Sequence, residues 1–255
     1  MPIIQAVERA LDILDLFKEH ETELKITDIS QRMNLNKSTV HSLLKTLQVR
    51  GYIEQNTKNG RYKLGLKLFE RGNFVIHGMD IQKISKSYLV ELSRKSGKTT
   101  HLAVLDGKEV VYMDQVEGTM EVMLYSRIGS RFPVHCTAAG KVLVAFRIPE
   151  ERSKILDGYV YQKLTGNTVL SEEEFLQELN HVCEVGYAID NQENEPSIYC
   201  IAVPIRDWNG EVIAAIGMST LVSRVDDHKL HELLKLFIKA GEQISAQMGY
   251  GSRLS

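Results

Sequence analysis

The chain has 255 residues, 43% hydrophobic and 25% charged, which is ordinary for a globular protein of one large or two modest domains. Its net charge of −2 excludes a uniformly basic nucleic-acid coat. Three cysteines, Cys136, Cys183 and Cys200, are too few and too scattered for a disulfide framework or a paired zinc motif.

Charge is unevenly spread. Between Asp28 and Gly65, seven basic residues (Arg32, Lys37, Lys45, Arg50, Lys58, Arg61, Lys63) stand against Asp28 and Glu54, giving +5 there and −7 elsewhere. Such a local patch suits phosphate contacts. The opening Met-Pro-Ile-Ile-Gln lacks the charged and apolar pattern of a signal sequence, and no run of about 18 apolar residues exists. A reduced, cytoplasmic protein is expected.

Taken in order, Ile3 to Lys18 carries Ile4, Val7, Ala10, Leu11, Leu14 and Phe17 at helical spacing. Surplus apolar surface on this helix could pair with a second copy. Ile26, Ile29 and Met33 mark a short helix, Asn34-Leu35-Asn36 a turn, and Val40, Leu43, Leu44 and Leu47 the stripe of a second helix. Thr27 and Asn36 suit the two N-caps. Two short helices around a three-residue turn have the form of a helix-turn-helix. The outer face of the second helix, Ser38, Thr39, His41, Ser42, Lys45 and Thr46, has the short hydrogen-bonding side chains that a major groove requires. An ordinary helical hairpin is the plain alternative.

Two strand-like stretches, Tyr52–Gln55 and Arg61–Leu64, flank a turn ending in Asn59-Gly60, a hairpin signal. Directly after a helix-turn-helix, this hairpin reads as the wing of a winged helix. Ser38, Thr39, His41 and Ser42 are then expected at base edges, with Lys37, Lys45, Arg61 and Lys63 at or near phosphates. Leu66 to Ile76 is again helical, and the domain boundary is expected near Gly78. The rest is read as a helix from Ile81 to Gly97, strands Thr100–Leu105, Glu109–Val116 and Val122–Arg127, and a helix from Thr137 to Phe146. A helix capped at Ser171 and ended by Gly186 follows, then strands Tyr199–Arg206 and Val212–Ser219, and a last helix from Leu230. That order gives an α+β domain with an antiparallel sheet.

Three stretches resemble signatures of the IclR family of bacterial transcriptional regulators. They are Asn36–Val40 with its following leucines, Arg131-Phe-Pro-Val-His-Cys-Thr-Ala-Ala-Gly-Lys141, and Gly186–Asp190 followed by Cys200–Ile205. The resemblance covers nearly the whole chain. It implies a winged helix-turn-helix DNA-binding domain (1–65), a linker helix (66–79) and a GAF-like effector-binding domain (80–255). It also implies homodimers, often paired into homotetramers. The sequence departs from the pattern at Glu195-Pro-Ser-Ile198, where the family usually has a glycine. Further stretches, Met1–Ala10, Ser126–Gly129, Ser223–Asp227 and Ile244–Tyr250, resemble the subgroup that controls sugar-acid catabolism, including regulators for 2-keto-3-deoxygluconate and xylonate.

Residues and resemblance together suggest an effector site. A helix opening at Thr137-Ala138-Ala139-Gly140 offers free backbone N–H groups and a positive dipole end for a carboxylate. Asp190 would accept from hydroxyls, and a plain apolar acid would leave it buried and unpaired. Cys200 and Ser219 line the same pocket in the family pattern. Leu124, Phe132 and Ile198 would form the apolar wall. Each of these has core packing as its alternative. No nucleophile elbow or spaced acid–base pair points to an enzyme, and no cofactor is expected. The expected function is a regulator, a repressor released from a roughly palindromic operator by a hydroxylated carboxylic acid. An activator, or a metal- or thiol-responsive regulator using His135, Cys200 and Asp190, stays open.

Overall fold

The computed structural model describes residues 3–18, 20–77, 80–119, 128–225 and 227–251. It divides into two compact units, Met1–Met79 and Asp80–Ser255.

The first unit runs α1 (Gln5–Asp15), α2 (Ile26–Met33), α3 (Lys37–Val49), β1 (Ile53–Gln55), β2 (Tyr62–Leu64) and α4 (Leu66–His77). Its core gathers Ile13, Leu24, Ile29, Val40, Leu44, Leu47, Ile53 and Tyr62. Between α2 and α3 the chain turns through Asn34 at φ 50°, a left-handed conformation that asparagine tolerates better than most residues. The Ser30 hydroxyl donates to the Leu35 carbonyl at 2.6 Å and fastens the turn. The capping differs from the sequence reading. Helix α2 starts two residues early, with Lys25 rather than Thr27 at the N-cap, and the Asp28 carboxylate accepts from Lys25 N at 3.3 Å, while Thr27 turns its hydroxyl to Asp28. Asn36 does hold the N-cap position of α3, but its side chain makes no capping bond. Ile13 is the buried anchor of α1, whereas Ile4, Val7 and Leu11 are exposed.

The wing is built more firmly than a two-stranded hairpin. Leu24 N donates to Tyr62 O at 2.9 Å and Tyr62 N to Leu24 O at 2.8 Å. The Glu23 carboxylate accepts from the side-chain amides of Asn56 (3.1 Å) and Asn59 (2.9 Å) at the tip. Gly60 closes the turn at φ +68°, where a side chain would be strained.

The second unit runs α5 (Asp80–Ser96), β3 (Thr99–Asp106), β4 (Glu109–Val116), β5 (Arg131–Pro133), α6 (Ala138–Ala145), α7 (Pro149–Leu156), α8 (Glu172–Val185), β6 (Ala188–Asn191), β7 (Ile198–Arg206), β8 (Val212–Leu221) and α9 (Asp227–Gln247). The strands form one antiparallel sheet in the order β5-β4-β3-β8-β7-β6. Successive side chains point to opposite faces. Thr100 binds the Leu89 carbonyl of α5, so His101 and Ala103 face the other way. There Ala103, Tyr112, Cys200, Ala202 and Ala215 pack with α6 and α8. The strand expected over Val122–Arg127, and with it Leu124, lies outside the described residues. Ser171 caps α8 by accepting from Glu174 N at 3.2 Å, and Gly186 ends it at φ +82°. The short elements β5, α7 and β6 were not read from their own residues.

Candidate functional site

On α3, Lys37, Ser38, His41, Ser42 and Lys45 are exposed and Thr39 is half-buried. Ser38, Ser42 and Lys45 stand opposite the buried stripe of Val40, Leu44 and Leu47, as a groove-reading helix requires, Thr39 and His41 flank that face, and Lys37 lies at the helix start on the side of the stripe. The Ser42 hydroxyl meanwhile donates to the Ser38 carbonyl at 3.1 Å. On the wing, Lys63 pairs with Glu54 at 3.2 Å. Arg61 is half-buried and directs its guanidinium at the Glu23 carbonyl, 3.5 Å away.

In the second unit, Phe132, Ala138, Ala139, Asp190, Ile198, Cys200 and Ser219 line one cavity. Thr137, Asn194 and Glu195 complete its rim, and His101 and Tyr112, absent from the sequence reading, complete its floor. Sheet register explains the grouping. Asp190 on β6 pairs with Cys200 on β7, Cys200 with Ser219 on β8, and Ser219 with Thr99 on β3. This makes a polar row across four strands on one face. Cys200 Sγ and Ser219 Oγ are 3.2 Å apart.

Helix α6 supplies the opposite wall. Thr137 Oγ1 accepts from Gly140 N at 3.2 Å and donates to Pro133 O at 3.0 Å. The amides of Ala138 and Ala139 in the first turn are therefore the ones left for a guest. Gly140 is required by close approach, since a Cβ there would lie 2.4 Å from the Val134 carbonyl oxygen. Every residue of α6 is buried, including Lys141. Its ammonium donates to Glu193 (2.7 Å), Glu178 (3.0 Å) and the Ile189 carbonyl (3.1 Å). Burial works against this charge, but the two carboxylates more than offset it and raise its pKa. Glu193 sits in the loop after β6 that carries Asn194 and Glu195, so Lys141 anchors one rim of the cavity from below.

Asp190 is 2% exposed. Burial, against the lowering by the Glu193 amide, pushes its pKa up to about 7. The expectation that it waits unpaired is corrected, because Asp190 Oδ1 already accepts from Glu193 N at 2.7 Å. Among the described residues that line the cavity, the buried polar atom without a hydrogen-bond partner is Nδ1 of His101. Free space amounts to about 30 Å³, far below the roughly 300 Å³ and more of small-molecule pockets. A five- or six-carbon guest enters only if rim side chains turn outward.

His135 lies elsewhere. Its Nε2 faces the Gln162 carbonyl at 3.1 Å and its Nδ1 the Tyr159 hydroxyl at 2.8 Å, so both ring nitrogens are engaged. Among the described residues no group of three His, Cys, Asp or Glu is placed to hold a metal. Among them, too, no helix is long and apolar enough to cross a membrane.

Comparison with known proteins bears on both units. The IclR helix-turn-helix domain matches residues 6–57, and the bacterial transcriptional regulator IclR C-terminal domain matches residues 73–246. The HTH-type transcriptional regulator XynR of Escherichia coli is 53% identical over 98% of this chain and 99% of its own length. The regulator KdgR of the same organism is 39% identical over 97% and 94%. The crystal structure of the Thermotoga maritima IclR superposes with a TM-score of 0.80 at 32% identity, covering 96% of this chain and 98% of that one. A DNA-reading first unit and an effector-binding second unit follow from these matches. The chain belongs to the IclR family of bacterial transcriptional regulators and is a regulator rather than an enzyme.

Proposed function

We propose that this protein represses sugar-acid catabolism genes and leaves a roughly palindromic operator when a small hydroxylated carboxylic acid binds the second unit. The observation that carries the reading is the shared cavity: free α6 amides for a carboxylate on one wall, and a polar row of Asp190, Cys200 and Ser219 for hydroxyls on the other. Partly protonated near neutral pH, Asp190 can accept from one hydroxyl and donate to another. Phe132 and Ile198 supply the apolar side. The resemblance to sugar-acid regulators supports the same ligand class.

The protein acts in the cytoplasm as a dimer or tetramer, with residues 1–65, 66–79 and 80–255 as reader, linker and sensor. The exposed apolar side chains Ile4 just before α1, Val7 and Leu11 on it, and Leu66 and Phe69 of α4 support self-association, since so much exposed apolar surface is uncommon on a monomer. Ser38, Thr39, His41 and Ser42 read bases, and Lys37, Lys45, Arg61 and Lys63 position phosphates.

The test has two arms. Calorimetry with D-gluconate, D-xylonate, 2-keto-3-deoxygluconate and benzoate measures the ligand class. Equal affinity for benzoate refutes the sugar-acid reading. Operators selected from random duplex DNA are then titrated against salt, with and without the best ligand. Lys45→Ala is expected to flatten the salt slope by about one. Operator affinity unchanged by saturating ligand refutes the coupling.

A further inference from the structure

We propose that His101 reads a hydroxyl group of the effector and so sets the preference for polyhydroxy acids over unsubstituted ones. This rests on the cavity being the effector site.

Three observations lead there. His101 is 1% exposed and lines the cavity, and its Nδ1 has no hydrogen-bond partner. A buried polar atom in that condition costs stability unless something pairs with it. The ring also has no freedom to look for a partner elsewhere. It stacks on Tyr112 at 4.7 Å between centroids with 21° between planes. Its Nε2 edge abuts β8 at Gly217, where even a Cβ would come within 3.0 Å of it. Finally, the imidazole is neutral, because burial holds its pKa down to about 4. It is therefore not a cation waiting for the carboxylate.

A neutral ring nitrogen is either an acceptor or an N–H donor, depending on tautomer. A hydroxyl satisfies both, a keto oxygen only the second and a methylene neither. Position fits as well. His101 stands on β3, three strands from Asp190 on β6, or roughly 14 Å between backbones at ordinary strand spacing. With both side chains reaching inward, they can serve opposite ends of a chain of five or six carbons.

The experiment is calorimetry on the full-length protein with D-gluconate, its monodeoxy derivatives and hexanoate. His101→Phe keeps the ring and its stacking but removes the nitrogens. It is expected to weaken D-gluconate about tenfold, one typical hydrogen bond, and to leave hexanoate unchanged. One monodeoxy derivative is expected to lose about tenfold on the parent and nothing on His101→Phe, the pairwise coupling of a direct contact. Failure of the parent to bind any hydroxy acid overturns the effector-site reading and this proposal together. If the parent binds D-gluconate but His101→Phe binds it equally, or loses hexanoate to the same extent, only the His101 assignment falls. Should His101→Phe not fold, the monodeoxy series on the parent decides. Equal affinity across that series overturns the assignment, and one selectively weak member that His101→Asn binds no worse than D-gluconate supports it.

Discussion

Replacing Lys141 by methionine tests whether a buried ion pair holds the cavity's rim. Lys141 is 1% exposed. The variant keeps its length and apolar stem but removes the ammonium that Glu193 and Glu178 share. Glu178 is half-exposed and recovers water, so its share of the loss is small. Glu193 is only 8% exposed, and one of its carboxylate oxygens already lacks a partner. Stranding a buried charge in this way costs about 3–5 kcal/mol, a large part of the roughly 5–15 kcal/mol of a typical domain. Burial already raises the Glu193 pKa with Lys141 present, and losing the cation raises it further. A carboxyl with a raised folded pKa holds its proton where the unfolded chain has lost it, so the variant regains stability as pH falls towards 4.5. Urea unfolding followed through the single tryptophan, Trp208, at pH 7.5 and 5 measures both effects. Adding Glu193→Gln is expected to return at least half of the loss, because a neutral pair is cheap to bury. A loss below about 1 kcal/mol at pH 7.5, or one independent of pH, refutes the reasoning.

Asp190→Asn removes a carboxyl whose folded pKa lies near 7 against an ordinary 3.8. The parent loses stability as pH rises from about 4 to 7, by up to roughly 4 kcal/mol, and denaturant midpoints of the variant over that range are expected to lack this slope. Ser197→Gly relieves a non-glycine residue held at φ +67°. It is expected to raise the urea midpoint by up to about 1 kcal/mol without changing the m-value. Gly140→Ala drives a Cβ against the Val134 backbone and is expected to cost about 1–3 kcal/mol, read as a lower thermal midpoint with weaker ligand binding.

Periodicity made the helix pair legible, because Val40, Leu44 and Leu47 repeat at helical spacing and are buried together. Turn and cap residues placed the wing and both ends of α8. What escaped was short or weakly patterned. Helix α7 buries only Leu156, and β5 has three residues, too few for a period to show. The cavity's polar row came from resemblance, since no spacing in one strand reveals which residue of another lies beside it. His101 did leave a trace: in Thr99–Asp106 it shares the inward parity of Ala103, an unusual place for an imidazole. Lys141 left a plainer one, as the sole charge in the buried run Ala-Ala-Gly-Lys-Val-Leu-Val-Ala. A buried lysine requires carboxylates nearby, but not until the chain folds is Glu193 identified as one of them. The family's missing glycine is accounted for by Ser197, which adopts the left-handed conformation itself.

The bridge between Leu24 and Tyr62 bears on how such a protein is switched. It ties the approach to α2 onto the wing by a single backbone bridge, while Glu23 ties down the tip. Helix pair and wing thus behave as a single gauge of fixed size set against the DNA. A gauge of that kind is not loosened finger by finger. In the proposed dimer, an effector bound to the other unit would change affinity by altering how the gauges of two copies are pitched and spaced. On that proposal, operators built from identical half-sites at different separations are expected to answer the same effector differently.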